Sequence, residues 1–229
     1  MAKQQLKLIL EDGSEFIGTS FGAFAETEGE VVFNTGMVGY PESLTDPSYK
    51  NQILVCTFPL IGNYGVPKVK INDAGIIENF ESDKVHIKGL IVSDYSEEYN
   101  HYDADKSLGN WLCEYNVPGI SDIDTRALTK KIREKGVMSG KIVKLTSKPS
   151  KKFHDPNKDN LVAEVGVQEV REYKVKGAKK TLLMLDCGMK ENILRNILDR
   201  QINVIRAPWD YDFINSDLQF DAIFLSNGP

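Results

Sequence analysis

The sequence predicts an α/β protein in two parts. An amino-terminal β-rich α/β domain occupies residues 1–146, and the first part of a doubly wound α/β domain occupies residues 179–229, with a linker at 147–178 between them. Three observations predict it. Short β-branched runs punctuated by Gly, Pro and Asp-Gly fill the first hundred residues. Two helical stripes with recognisable ends follow between residues 107 and 136. Beyond residue 180 the rhythm becomes apolar run, helix, apolar run, loop, apolar run, which opens a doubly wound sheet.

Taken in order, residues 6–10 alternate and lead into Glu11-Asp12-Gly13-Ser14, where Asp-Gly supplies the positive φ angles of a tight hairpin before Phe16-Ile17. Residues 31–33 and 53–58 are further strands. Between them, residues 34–51 are rich in Gly, Pro, Thr, Ser and Asp and read as a long loop without regular structure, a kind that is uncommon unless functional. Residues 85–93 read as a strand, with Gly89 marking a bulge. In residues 107–115, Leu108, Trp111, Leu112 and Tyr115 fall on one helical face. A second helix starts at the N-cap Asp124 and stops at Gly136, with Leu128 and Ile132 one turn apart, and residues 142–145 form a strand. The lysine- and proline-containing stretch 147–160 reads as solvated linker. Residues 170–175 alternate and lead into the second part. There, residues 181–185 are continuously apolar, as in a parallel strand buried on both faces. Residues 190–200 carry Ile193, Leu194, Ile197 and Leu198 on one helical face, and 202–206 and 222–226 are strands. Such a sheet needs cover on both faces, and one helix cannot provide it.

Composition excludes several function classes. The 229 residues carry a formal net charge of -5, and no basic face stands clear of acidic neighbours outside the linker, which argues against nucleic acid. No apolar run approaches the roughly 20 residues of a membrane-spanning helix, and Met1-Ala2-Lys3-Gln4-Gln5 lacks a signal-peptide core. Cys56, Cys113 and Cys187 are far apart and odd in number, which fits a reducing cytoplasm and argues against a disulfide frame. His86, His101 and His154 share no metal-ligand spacing, so no metal is expected.

Among residues that could carry chemistry, Cys187 follows the buried strand in Leu185-Asp186-Cys187-Gly188, where α/β folds place their sites. No histidine follows it to act as base, and a loop role takes precedence over a nucleophile. Asn227-Gly228-Pro229 ends the last strand; Gly228 permits close backbone approach and can aim an N–H at a ligand oxygen, although alone the tripeptide is only a turn signal. Ser48, in Thr45-Asp46-Pro47-Ser48-Tyr49, sits in a turn where its hydroxyl can satisfy nearby backbone. Neither GxGxxG nor a phosphate loop follows residues 181–185, so nucleotide binding is not supported.

Several segments together are specific. Gly29-Glu30-Val31-Val32-Phe33-Asn34-Thr35-Gly36-Met37, Gly39-Tyr40, Leu44 through Tyr49, Phe58-Pro59, Ile61 through Gly65, Ser121-Asp122-Ile123-Asp124-Thr125-Arg126 and Arg133-Glu134-Lys135-Gly136 resemble the amino-terminal domain of the carbamoyl-phosphate synthetase small subunit. Asp186-Cys187-Gly188-Met189-Lys190, Asn192 through Arg195 and Phe224 through Pro229 are similar to the start of that subunit's class I glutamine amidotransferase domain. The resemblance spans nearly the whole chain and is weakest in the linker. The first long motif is the most specific, since other class I amidotransferases lack this amino-terminal domain.

The resemblance implies a cytoplasmic, heterodimeric glutaminase subunit that releases ammonia from glutamine for a large subunit. That subunit uses bicarbonate and ATP, with magnesium, to make carbamoyl phosphate for pyrimidine and arginine synthesis. It also implies that Ser48 and Gly228 contact bound glutamine, Gly228 as an oxyanion donor through its backbone N–H. Cys187 does not match the family nucleophile. That cysteine, its His-x-Glu pair and the second glycine of Asn-Gly-Pro-Gly lie beyond the family position matched by Pro229. No catalytic residue or cofactor is therefore expected in this chain, and it is expected to be inactive alone. The alternatives are a non-catalytic docking module for the large subunit and, more remotely, a flavodoxin-like cofactor binder.

Overall fold

The computed structural model describes residues 4–229; Met1, Ala2 and Lys3, part of the segment read as lacking a signal-peptide core, lie outside the described residues. The protein is a mixed α/β molecule with several sheets and few helices, and its chain divides into two compact units. Unit 1 comprises Met1–Leu44, Asn51–Lys68 and Val85–Lys158; unit 2 comprises Thr45–Lys50, Val69–Lys84 and Asp159–Pro229. Two short segments from the first half of the sequence therefore belong to unit 2.

Unit 1 is built on β1 (Gln5–Leu10), β2 (Glu15–Gly22), β3 (Thr27–Asn34), β4 (Gln52–Cys56), β5 (Leu60–Ile61), β6 (Val66–Pro67), β7 (Gly89–Ile91), β8 (Asp94–Tyr95), β9 (Ala104–Lys106), β10 (Pro118–Ser121) and β11 (Met138–Lys144). Seven of them close a barrel in the order β1-β11-β3-β4-β7-β10-β2. The pairs β3–β4, β4–β7 and β7–β10 are parallel, and the remaining pairs are antiparallel. Alternation of side chains along each strand sends Leu6, Leu8, Leu10, Val31, Ile53, Val55, Ile91, Ile120 and Ile142 into one core. Helix α1 (Tyr40–Thr45) precedes a single 3₁₀ turn at Pro47–Tyr49. Helices α2 (Leu108–Glu114) and α3 (Thr125–Lys135) complete unit 1, and α3 contributes Leu128 and Ile132 to the barrel core.

The expected hairpin is present, but only Gly13 takes a positive φ (+85°); Asp12 does not adopt the one expected of it. Both expected helices have their caps: Ser107 accepts the Asn110 N–H, Asp124 accepts the Ala127 N–H, and Gly136 has φ +85°. Tyr115 departs from the expected stripe. It caps α2 and is exposed, with its ring meeting Trp111 edge-on at 6.1 Å between centroids. Residues 34–51 are not an irregular loop, since α1 and the 3₁₀ turn occupy much of them. The strand expected over 85–93 shrinks to β7, and Gly89 begins it without a bulge. There a Cβ would run into Ile142 across the core. The linker is not wholly solvated: the buried Lys141 ammonium donates to the carbonyls of Ser150 (3.0 Å) and Lys152 (2.5 Å).

Unit 2 contains α4 (Leu161–Val165), β12 (Arg171–Tyr173), β13 (Lys180–Asp186), α5 (Glu191–Asp199), β14 (Ile202–Pro208) and β15 (Ala222–Leu225). The sheet order is β12-β14-β13-β15, with β13 parallel to both neighbours and β12 antiparallel on one edge. On one face Met184 and Val204 pack with Leu194 of α5, Met189 and Ile76, the last drawn from the early segment. Among the described residues no helix packs on the opposite face. Leu183, Leu185, Ile205 and Ala207 are covered instead by Tyr211, Phe213, Leu218 and Phe220 from the irregular segment before β15. Burial of four large side chains there substitutes for the second helix layer that strand patterning leads one to expect.

Candidate functional site

The carboxyl ends of β13 and β15 lie side by side in unit 2, and the site is assembled there. Asp186, the last residue of β13, is fully buried. Its Oδ1 accepts the N–H groups of Gly188 (2.9 Å) and Met189 (2.8 Å), which turns the chain sharply after the strand. Its Oδ2 accepts the Val167 N–H (3.0 Å) and the Arg206 Nε (2.8 Å). Arg206 in turn reaches Glu191 Oε1 at 2.7 Å. Burial works against the charged Arg206 guanidinium, but Asp186 and Glu191 together outweigh it and raise its pKa. A buried ion network of this kind persists when each remaining lone pair and proton finds a partner.

Cys187 follows. Its N–H donates to Ser226 Oγ at 2.8 Å, and that hydroxyl donates onward to the Asn227 carbonyl at 2.7 Å. The Cys187 thiol is pushed up by burial and by the neighbouring Asp186 charge, with a smaller opposing effect from Ser226. Unit 2 contains no histidine. Cys187 is thus a strand-end residue whose thiol is disfavoured as a thiolate, opposite to what a nucleophile requires.

Gly228 stacks directly on Cys187. A Cβ at position 228 would overlap the Cys187 carbonyl oxygen, so only glycine lets the two strand ends approach this closely. Asn227, one residue earlier, donates from Nδ2 to Ser48 Oγ at 3.0 Å. Its Oδ1 is buried and has no hydrogen-bond partner among the described residues.

Ser48 arrives from far upstream through a locally determined turn. Asp46 caps the 3₁₀ turn, its Oδ1 accepting the Ser48 N–H at 2.9 Å, and Pro47 supplies the preset φ of the first position. The other Asp46 oxygen pairs with Lys190 Nζ at 2.6 Å. For Lys190, burial lowers the pKa, but the Asp46 pair and the nearby Glu81 charge prevail and raise it. The early segment is also tied down at Glu81. Its carbonyl accepts the Glu191 N–H (3.0 Å), its carboxylate accepts the Asn192 N–H (3.0 Å), and its backbone N–H donates to Thr45 Oγ1 (3.1 Å).

The structure therefore brings both sequence-predicted residues, Ser48 and Gly228, into one unit, linked through Asn227. Sequence reasoning did not single out Asp46, Lys190, Arg206 or the Asn227 side chain. The Asp-Pro-Ser order was a legible cap signal for Asp46, whereas nothing local marks the others. Among the described residues no group of His, Cys, Asp and Glu could hold a metal ion, and no helix is long and apolar enough to cross a membrane.

Comparison with known proteins gives a consistent picture. Residues 8–142 match the family described as carbamoyl-phosphate synthase small chain, CPSase domain. The chain is 49% identical over 236 residues to the multifunctional protein pyr1-3 of Dictyostelium discoideum, covering 97% of this chain and 11% of that protein. It is 48% identical over 223 residues to the multifunctional protein CAD of Squalus acanthias, covering 97% of this chain and 10% of that one. It is 45% identical over 227 residues to the human mitochondrial carbamoyl-phosphate synthase [ammonia], covering 99% of this chain and 15% of that protein. The chain thus spans a small fraction of the length of the relatives it matches. With a family match over more than half its residues and this similarity along the rest, the chain belongs to the carbamoyl-phosphate synthase small-chain family.

Proposed function

We propose that this chain serves a glutamine-hydrolysing carbamoyl-phosphate synthetase. Unit 1 is the small-subunit amino-terminal domain, and unit 2 holds the opening of the class I glutamine amidotransferase domain, with Ser48 and Gly228 contacting glutamine. Ammonia released from the amide passes to a large synthetase subunit or domain that consumes bicarbonate and ATP, in pyrimidine and arginine synthesis. The observation that carries the reading is the Asn227–Ser48 hydrogen bond beside Gly228. Because Ser48 Oγ accepts from Asn227, its own proton is left to donate to an oxygen of the ligand. The tight seating of Gly228 on Cys187 supports a backbone N–H held at a fixed position, as an oxyanion donor needs.

Residues 1–229 by themselves are proposed not to turn over glutamine, since Cys187 is unsuited to attack and unit 2 has no histidine to activate it. The test is Ser48→Ala in the assembled synthetase. Loss of one ligand hydrogen bond is expected to raise the KM for glutamine by roughly tenfold while ammonia-driven synthesis stays unchanged. Equal loss of both activities would overturn the assignment.

A second reading, a non-catalytic docking module for the large subunit, is favoured by one observation: a relative covering 99% of this chain is named for ammonia. Ammonia-driven but not glutamine-driven synthesis by the wild-type assembly would select it. A cytoplasmic setting is proposed from the three free cysteines, and cell fractionation with an antibody to the chain checks it.

A further inference from the structure

The carboxyl ends of the four adjacent parallel strands β3, β4, β7 and β10 gather at one end of the barrel in unit 1. This is the position where α/β proteins bind ligands, because loops there diverge and leave a crevice. Three of these strands are followed by hydroxyl residues: Thr35 directly after β3, Thr57 directly after β4, and Ser93 two residues after β7. The fourth, β10, runs on into α3. Together they border a cleft of about 690 Å³ that contains no residue of the Ser48 cluster.

The helix wall of this cleft is cationic. Arg126, Lys130 and Arg133 lie at i, i+4 and i+7 on one face of α3 and line the cleft. The acid beside them, Asp124, is occupied in capping the Ala127 N–H at 2.9 Å. Lys130 meets Glu134 only at 3.9 Å, in solvent, whereas Arg126 and Arg133 make no ion pair among the described residues. A separate observation points the same way. Thr129, which also lines the cleft, has a buried Oγ1 with no hydrogen-bond partner among the described residues. A buried hydroxyl left unpaired carries a standing cost that a ligand atom in the cleft would remove.

We propose that this cleft is a second binding site, for a small phosphate-bearing molecule. The guanidinium groups of Arg126 and Arg133 meet the phosphoryl oxygens, and the hydroxyls of Thr35, Thr57, Ser93 and Thr129 complete the donor set. Guanidinium forks match phosphate oxygens two at a time, and hydroxyls can donate to the rest. The volume lies within the range of roughly 300–1,000 Å³ usual for small-molecule sites, larger than a lone ion requires.

The test is titration of the 229-residue chain with inorganic phosphate at constant ionic strength, followed by amide chemical shifts in NMR. Sodium chloride serves as a control and an acidic octapeptide as a second arm. Saturable shifts confined to the amides of Thr35, Thr57, Ser93 and Thr125 are expected. The double variant R126A/R133A should weaken the apparent Kd at least about tenfold through loss of charge-assisted bonds. Thr129→Val, nearly isosteric and uncharged, should weaken it measurably while the melting temperature of the phosphate-free chain stays the same or rises. Shifts that match those in chloride, or a Kd indifferent to both variants, would overturn the proposal. So would binding of the peptide but not of phosphate, which would make the cleft a protein-docking face.

Discussion

Asn227 Nδ2 donates to Ser48 Oγ at 3.0 Å, across 179 positions of sequence. The bond orients the serine hydroxyl and closes a path from the sheet end through Ser226 to the Cys187 backbone. Asn227→Ala should therefore act through Ser48. In a double-mutant cycle with Ser48→Ala, read as glutamine KM in the assembled synthetase, we expect a coupling of about 0.5–1.5 kcal/mol. Additive effects would separate the two residues.

The contact between Gly228 and the Cys187 carbonyl leaves no room for a methyl group. Gly228→Ala should force the strand ends apart and cost about 1–3 kcal/mol of stability, measured by urea unfolding of the chain. Cys187→Ser, which leaves the backbone contact intact, should stay within about 1 kcal/mol of wild type and change no catalytic property.

Arg206 neutralises a carboxylate that has no access to water. Arg206→Met leaves Asp186 buried and uncompensated, and a loss of about 3–5 kcal/mol is expected. A drop of less than 1 kcal/mol in the same urea experiment would show that Asp186 is satisfied by the three backbone N–H groups alone.

The three cysteines should react in an order set by burial. Cys113 is exposed, Cys187 half-buried with its thiol pushed up, and Cys56 enclosed with its thiol pushed up to about 12 by burial. Iodoacetamide at pH 8 followed by peptide mass mapping should label Cys113 first and Cys56 last, because only the thiolate attacks. Early labelling of Cys56 would mean that the barrel opens under native conditions.

Asp12, in the first hairpin turn, has its carboxyl held at about 2. The cause is chiefly its hydrogen bond to Lys131, with help from Ser14. A depressed carboxylate contributes stability above its unfolded value near 3.9, and that contribution fades as pH falls through about 2. Lys131→Ala should move the Asp12 midpoint upward in an NMR titration and reduce this acid-side dependence, leaving the part due to Ser14. A midpoint unchanged from wild type would assign the shift to the turn backbone.

Local chemistry was legible wherever a few consecutive residues decide the outcome. Asp124 and Gly136 bracket α3 as their cap preferences require, and the Asp12-Gly13 turn forms the first hairpin. The apolar run of β13 is indeed a central parallel strand. What stayed hidden depends on partners distant in sequence. Closure of the barrel requires β3, β4, β7 and β10 to lie parallel across long connections. Helix α1 replaces an expected loop because Tyr40 is anchored outside its own segment, its hydroxyl donating to the Gly65 carbonyl at 2.7 Å and its ring stacked on Tyr64. Ser48 and Gly228 were identifiable only through family motifs. The Asn227 side chain that joins them has no signature of its own.

The placement of Thr45–Lys50 and Val69–Lys84 within unit 2 bears on how the polypeptide is made. During translation these segments leave the ribosome before the sheet they serve has been synthesised, so Ile76 and Glu81 must wait for their partners around α5. A cut in the 147–160 stretch would consequently not release two self-sufficient pieces. The carboxyl-terminal piece would lack one wall of its core, and the amino-terminal piece would carry a strap with nothing to fasten.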